Sequence, residues 1–314
     1  MNGFRAVLLA AAGLPLLSVP CWDAAADEQF PPELVDIEPY QGNPVFAGTG
    51  KDTWDRTIRE RGYILREGDT WYLWYTGYNH NRSDANYRNT MSLGYATSPD
   101  GLHWTRHGDN PVFDKSWTED MMVLKHGDTY YMFAEGLHDI AHMLISTDRV
   151  HWRDHGRLDV RQTNGKPLSP GPYGTPTVWV EGGRWYLFYE RRDLGIWLAT
   201  SADHKVWTNV QDDPVIPLGP GAYDKQAVAM NQLVKHRDRY YAYYHANADP
   251  KWGGPWTTNV AVSEDLIHWK KYAKNPIIPT NHSSGTLVHD GRQYRLYTTH
   301  PDVRVYFPKS PKTR

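Results

Sequence analysis

The chain has 314 residues, 40% hydrophobic, with 34 Lys and Arg against 36 Asp and Glu, a net charge of −2. Without a basic block it lacks the electrostatic footprint of a nucleic-acid binder, and it is apolar enough to build a real core. The aromatic load is uneven, with 14 Trp and 21 Tyr against 7 Phe. Both side chains join an apolar face to a polar handle, which suits strand packing and also suits flat, hydroxyl-rich ligands such as sugars.

Arg5 precedes an apolar run, Ala6 to Val19, which is too short and too punctuated to span a membrane. With the small residues Ala24 to Ala26 it predicts a signal peptide over residues 1–26 and a secreted or periplasmic protein. Lipoprotein anchoring at Cys21 is the alternative, against which stands Pro20, where lipidation sites want a small residue. No other segment is apolar enough to span a membrane. The mature chain would contain no cysteine, so its core alone must hold it.

Five strand pairs follow: "GYILREGDTWYLWYTG" (62–77), "MMVLKHGDTYYMFAEG" (121–136), "TVWVEGGRWYLFYE" (177–190), "QLVKHRDRYYAYYH" (232–245) and "TLVHDGRQYRLYTTH" (286–300). Each is a β-rich run, a polar turn and an aromatic-rich run, the pattern of a β-hairpin. A third strand follows each of the first four. It ends in Ser-x-Asp-x-x-x-Trp, at Ser98–Trp104, Ser146–Trp152, Ser201–Trp207 and Ser263–Trp269. "NPVF" (43–46 and 110–113), "DPVI" (213–216) and "NPII" (275–278) recur along the chain, with apolar strand pairs between them.

A four-stranded unit of about 50–60 residues, repeated about five times, predicts an all-β fold, a five-bladed β-propeller of four-stranded antiparallel blades. It forms a single domain over residues 27–314. The fifth copy is incomplete, with "VRVYF" (303–307) as its third strand and no fourth. The segment around Val35 to Phe46 is expected to pair there and close the ring, which removes an exposed strand edge. In the recurring signature, Ser and Asp are expected to bind backbone N–H groups of a tight turn and Trp to pack between blades. A turn repeated four times reads as scaffold, because a catalytic residue is needed once.

In a propeller the inner strands line a central funnel, and the ends of the second strands return to the same rim. The rim positions are rich in carboxylates: Asp55, Glu60, Glu119, Asp120, Glu135, Glu190 and Asp224. They differ from blade to blade, as a site grafted onto a repeat should. Glycosidic-bond cleavage needs two such groups, an acid with a raised pKa and a carboxylate that activates water or attacks the sugar. Arg56, Arg59, Arg61 and Arg191 could keep some carboxylates ionised, pair with them structurally, or bind an acidic sugar.

The chain resembles the five-bladed propeller glycoside hydrolases of families 43, 32, 68, 117 and 130 over roughly residues 40–308, closest in pattern to family 43. "WTED" (117–120) before "YYMF" resembles the second-blade Trp-x-x-Asp of family 43, and "GTPTVWVEGGRWYLFY" (174–189) its third-blade strand pair. "NHSSGTLVHDG" (281–291) with "LYTTH" resembles its fifth-blade run, while "YDKQAVAMN" (223–231) is closer to family 130. The resemblance implies hydrolysis, or phosphorolysis or transfer, of glycosidic bonds in oligo- or polysaccharides.

The usual acids do not all carry over. The first-blade Asp falls on Arg61 with Glu60 beside it, the third-blade Asp on Thr175, and the general-acid Glu on Ala229. Asp120 alone sits on a matching motif. Candidate catalytic residues are therefore Asp55 or Glu60, Asp120, Glu190 and Asp224. Asp55 and Asp224 lie at equal offsets before their strands, as a facing pair would, and as two repeat-derived turn residues would. In a facing pair, a separation of roughly 6.5–9.5 Å would mark inversion and about 5 Å retention. Candidate substrate-binding residues are Trp54, Arg61, Glu119, Glu135, Tyr173, Thr175, Arg191, His245, His282 and His300.

"HDIAH" (138–142) lies between strands with no following Glu, so no metal site is expected. No cofactor is expected, although the resemblance allows a central water or ion near His282. The expected partner is a carbohydrate and the expected state a monomer. A non-catalytic sugar-binding propeller and a phosphorylase or transferase are the alternatives.

Overall fold

The computed structural model describes residues 29–79, 91–169 and 171–310; the expected signal peptide and Cys21 lie outside the described residues. Five antiparallel sheets form a propeller. Blade 1 contains Tyr63–Glu67, Thr70–Tyr78, Ser92–Ser98 and Thr105–Arg106 from inside to outside. Blade 2 contains Glu119–His126, Thr129–Gly136, Ile140–Ser146 and Arg153–Arg157. Blade 3 contains Gly174–Glu181, Arg184–Glu190, Gly195–Ser201 and Val206–Asn209. Blade 4 contains Ala227–His236, Arg239–Asn247, Thr257–Ser263 and Trp269–Lys271. Blade 5 contains Thr286–His289, Tyr294–Thr298 and Arg304–Pro308. Inner strands of neighbouring blades touch in cyclic order, with blade 5 against blade 1. The described helix is a single turn, Pro32–Val35.

The ring closes where the repeat is incomplete. Ile37–Pro39 adds the missing outer strand to blade 5, Ile37 opposite Pro308 and Pro39 opposite Tyr306. Phe46 bridges Val303, and the Asn43 amide bonds both backbone groups of Val305 at 2.8 Å. Asn110 and Asn275 clip Tyr95 and Val260 of their own third strands in the same way. The recurring Asn-Pro therefore stitches a returning loop to a blade.

The Ser-x-Asp-x-x-x-Trp segments are turns, as their composition requires. Asp148 Oδ1 accepts N–H bonds from Val150 and His151, and Ser146 Oγ accepts one from Arg149 at 2.9 Å. Asp100 and Asp265 repeat this pattern with their own neighbours. Each Trp then wedges against the second strand of the preceding blade. Trp152 meets Trp74 edge-on at 6.1 Å, Trp207 meets Phe133 at 6.0 Å and Trp269 meets Phe188 at 6.0 Å. Trp104 packs on the cluster that holds Tyr297 of blade 5. Burying such a large aromatic side chain stabilises by about 2–3 kcal/mol, so one short motif both ends a strand and cements two blades.

Candidate active site

The inner strands are irregular at one level. The pairing register slips between Glu119 and Met122, Gly174 and Thr177, and Met230 and Gln232. In blade 1 the equivalent stretch separates Thr57–Ile58 from Tyr63–Glu67, both paired with the same second strand. Arg61, Asp120, Thr175 and Ser284 have left-handed backbones there, with φ of 52°, 47°, 45° and 65°. A β-carbon makes that conformation costly, about 1–3 kcal/mol for each such residue. Bulges of this kind re-aim a side chain. Here Arg61, Asp120 and Thr175 come together from three blades.

Arg61 forms the floor. Its Nη1 donates to the Asp120 carbonyl at 2.5 Å, and its Nη2 to the Pro176 carbonyl at 2.7 Å and Thr177 Oγ1 at 2.6 Å. Burial pulls the guanidinium down to about 10, with Asp120 and Glu135 opposing, so it stays charged at neutral pH. Its contacts are made to protein groups of blades 2 and 3, which makes it a structural base for the site rather than the substrate ligand expected from sequence. Thr177 Oγ1 also donates to the Met230 carbonyl, and Gln232 Nε2 to Leu287, so the bonding continues into blades 4 and 5.

Three carboxyl groups converge above this floor. Thr175 Oγ1 lies 3.3 Å from Asp120 Oδ2 and 3.1 Å from Glu135 Oε2, while its N–H donates to Glu135 at 2.8 Å. The Gly174 N–H donates to Glu190 Oε1 at 3.2 Å. A β-carbon at residue 174 would stand 2.3 Å from Glu135 Oε2 and 2.4 Å from Glu190 Oε1. A side chain there would push both carboxyl groups out of the positions they hold.

Burial splits the charge states of this cluster. It raises Asp120 well above the ordinary carboxylate range, aided by Glu60 and Glu119, and does the same to Glu135 and Asp193. It raises Glu190 to about 7 against the pull of the Asp193 and Gly174 N–H groups. Glu60 goes the other way. Burial opposes its charge, but His300 Nδ1 at 3.1 Å and Arg59 Nη2 at 3.4 Å bring it down to about 2. Glu119 is clamped by Arg59 Nε at 2.5 Å and Trp117 Nε1 at 2.7 Å. Burial lowers His245 to about 4, so it stays neutral beside the Asn231 amide at 2.8 Å.

The predicted residues thus divide. Glu60, Glu119, Asp120, Glu135, Thr175, Glu190, His245 and His300 belong to one connected cluster. Asp55 and Asp224 do not. Asp55 accepts from Arg106 at 2.9 Å and Tyr75 at 3.2 Å, and Asp224 from Lys271 at 2.6 Å. Each cation sits on the outermost strand of the same blade, so the equal offsets reflect the repeat rather than a catalytic pair. Tyr173 turns its hydroxyl to the Leu158 carbonyl at 2.9 Å, within the packing of blades 2 and 3. Trp54 stacks on Tyr75 at 5.8 Å, Arg191 lies over Trp197, and His282 bonds Thr280 on the rim of blade 5.

Asp193 and Asn231 were not singled out in the sequence. Asp193 donates its N–H to Glu190 from the turn after the second strand of blade 3. Asn231 occupies the bulge of blade 4, and counting back along that hairpin would have found it. Among the described residues no group of three or more His, Cys, Asp or Glu is placed to hold a metal ion. His138 of "HDIAH" is exposed in a turn, whereas His142 is buried on a third strand.

No protein-family pattern matches the chain. An uncharacterized protein of Mycobacterium tuberculosis is 27% identical over 229 residues, 68% of this chain and 74% of its own length. A β-1,2-mannobiose phosphorylase of Thermoanaerobacter sp. is 25% identical over 175 residues, 50% of this chain and 54% of its own. A glycosyl hydrolase structure from Bacteroides ovatus superposes with a TM-score of 0.70 at 16% identity, covering 88% of this chain and 95% of that one. The β-1,2-mannobiose phosphorylase of Listeria innocua gives 0.66 at 15% identity over 87% and 96%. A thermostable family-43 glycoside hydrolase gives 0.57 at 18% identity over 80% and 88%. This chain therefore has the five-bladed propeller fold found in glycoside hydrolases and mannoside phosphorylases.

Proposed function

We propose that the protein cleaves glycosidic bonds, with Glu60 as the ionised carboxylate and Asp120 as the acid. The observation that carries this reading is the divergence of two neighbouring carboxyl groups. Glu60 is held at about 2 by His300 and Arg59 although burial opposes it, while burial and the Glu60 charge keep the proton on Asp120. Such divergence assigns acid and base roles within one site. Asp120 protonates the leaving oxygen as the bond breaks. Glu60 takes the proton from the attacking water, and the sugar and the aglycone leave separately. Glu135 and Glu190, joined to Asp120 through Thr175 and Gly174, keep that region poor in charge. With residues 1–26 read as a signal peptide, the substrate is an extracellular or periplasmic glycan, and cell fractionation checks that location.

Phosphorolysis is the second reading, favoured by the likeness to a mannobiose phosphorylase. Phosphate would replace water, and the Arg59 guanidinium and the His300 ring, both half-buried beside Glu60, are the groups placed to meet it. Purified protein incubated with manno-, xylo- and arabino-oligosaccharides should release reducing sugar in phosphate-free buffer. Product that appears only with phosphate, as a sugar phosphate, selects the second reading. Binding without any product defeats both.

A further inference from the structure

The loop that leaves the second strand of blade 4 reads "ADPKWGGPW" (248–256) and carries two tryptophans. Trp252 is 46% exposed, and among the described large hydrophobic side chains only Leu194 is more so. Its backbone is left-handed, with φ of 61°. A glycine would fit there without strain, and two glycines follow it directly, yet the position holds the largest side chain available. Half of the ring faces solvent, so burial repays little of that strain.

The loop is braced rather than loose. Asp249 takes the Lys251 N–H at 2.9 Å, and its carbonyl takes the Trp252 N–H at 2.9 Å. Asn247 accepts the Asp249 N–H at 2.7 Å and donates to the Gly254 carbonyl at 3.3 Å. The Trp256 N–H is fixed to Asn281 of blade 5 at 2.9 Å. The Trp252 ring lies on Trp256 at 5.6 Å and 36°, and Trp256 meets His245 edge-on at 5.2 Å. The two indoles thus form a path from solvent to a histidine of the carboxylate cluster, on the blade 4 and 5 side of the funnel. Asp120, Glu135 and Glu190 stand on blades 2 and 3.

We propose that Trp252 and Trp256 form a shelf on which a sugar ring of the glycan stacks, one or more units away from the bond that is cleaved. This rests on the reading of the site as glycan-binding, and adds to it a preference for oligosaccharides over disaccharides. An indole face offers rigid apolar area to the C–H face of a pyranose, and the braced loop leaves little to be ordered on binding. The shelf holds and positions; it takes no part in proton transfer.

Calorimetry with the Glu60→Gln protein measures binding without turnover, using neutral manno-, xylo- and arabino-oligosaccharides of two to five units. Affinity should rise with length in at least one series. Trp252→Ala should flatten that rise, with a loss of about tenfold for four units, as expected for an aromatic anchor. Trp252→Phe should keep most of it. Trp252→Gly should lose the same affinity as Trp252→Ala yet melt no lower than that variant, because it relieves the left-handed backbone. A shelf effect without product release from the unmutated protein leaves the shelf standing and removes the hydrolysis reading. Equal binding of Trp252→Ala and its parent at every length overturns the shelf, whether or not product is released.

Discussion

The protein uses carboxyl groups in two regions with opposite results. At the far end of the blades from the funnel mouth, Asp100, Asp148 and Asp265 sit in recurring turns. What little burial they have opposes their charge, but a histidine ring at 2.6–2.7 Å and two backbone N–H groups hold them well below the ordinary range. In the funnel, burial raises Asp120, Glu135 and Glu190. In the turns the stabilising donors lie within three residues of the carboxylate. The funnel groups meet one another only because blades assemble. Local chemistry therefore yields an inert, ionised scaffold, and tertiary burial yields carboxyl groups that keep their protons.

The comparison breaks first at activity. Glu60→Gln and Asp120→Asn should each lower turnover about 10²–10⁴-fold in protein that is still folded at the assay temperature, the range for loss of a general acid or base. Asp148→Ala should leave turnover unchanged, measured side by side on the same substrate. If the turn variant loses activity as deeply as the funnel variants, the division is wrong.

Arg61→Met comes next. It removes a buried cation that joins three blades and should cost about 3–5 kcal/mol in urea unfolding. Asp224→Asn, which strips Lys271 of its buried partner, should fall below that but well above a surface change.

A pH series separates the two regions by sign. Glu190 is raised to about 7 in the fold from an ordinary 4.5, so the native state binds the extra proton between these values. Its contribution is complete below about 4.5 and is lost as pH rises to about 7, amounting to at most about 3 kcal/mol. Glu190→Gln should flatten that decline in the unfolding midpoint. The turn aspartates are lowered, so their contribution is present at neutral pH and is lost as pH falls below the ordinary aspartate value. The smallest effect is that of Asp148→Ala on stability, about 1 kcal/mol for turn bonds that water partly replaces.

Most of the fold was legible because it is written in short-range repeats. Hairpin periodicity and the hydrogen bonds of the Ser-x-Asp-x-x-x-Trp turns act within a few residues, and the missing fourth strand of blade 5 pointed to the segment around Val35 to Phe46, in which Ile37–Pro39 pairs. The site was legible in part. Glu60, Asp120 and Glu190 stood out as departures from the repeat, and they do meet. Asp55 and Asp224 were indistinguishable from them in sequence, because their partners Arg106 and Lys271 lie 51 and 47 residues away. Tyr173 likewise carried no sign of which way its ring would turn.

The sequence by itself determined the number of blades, the strand order and the turns, since alternation and turn chemistry are properties of adjacent residues. Tertiary structure decided which carboxyl groups keep their protons. The bulges at Asp120 and Thr175, the space left by Gly174 and the bridging guanidinium of Arg61 bring three blades to one point, and burial there outweighs solvation.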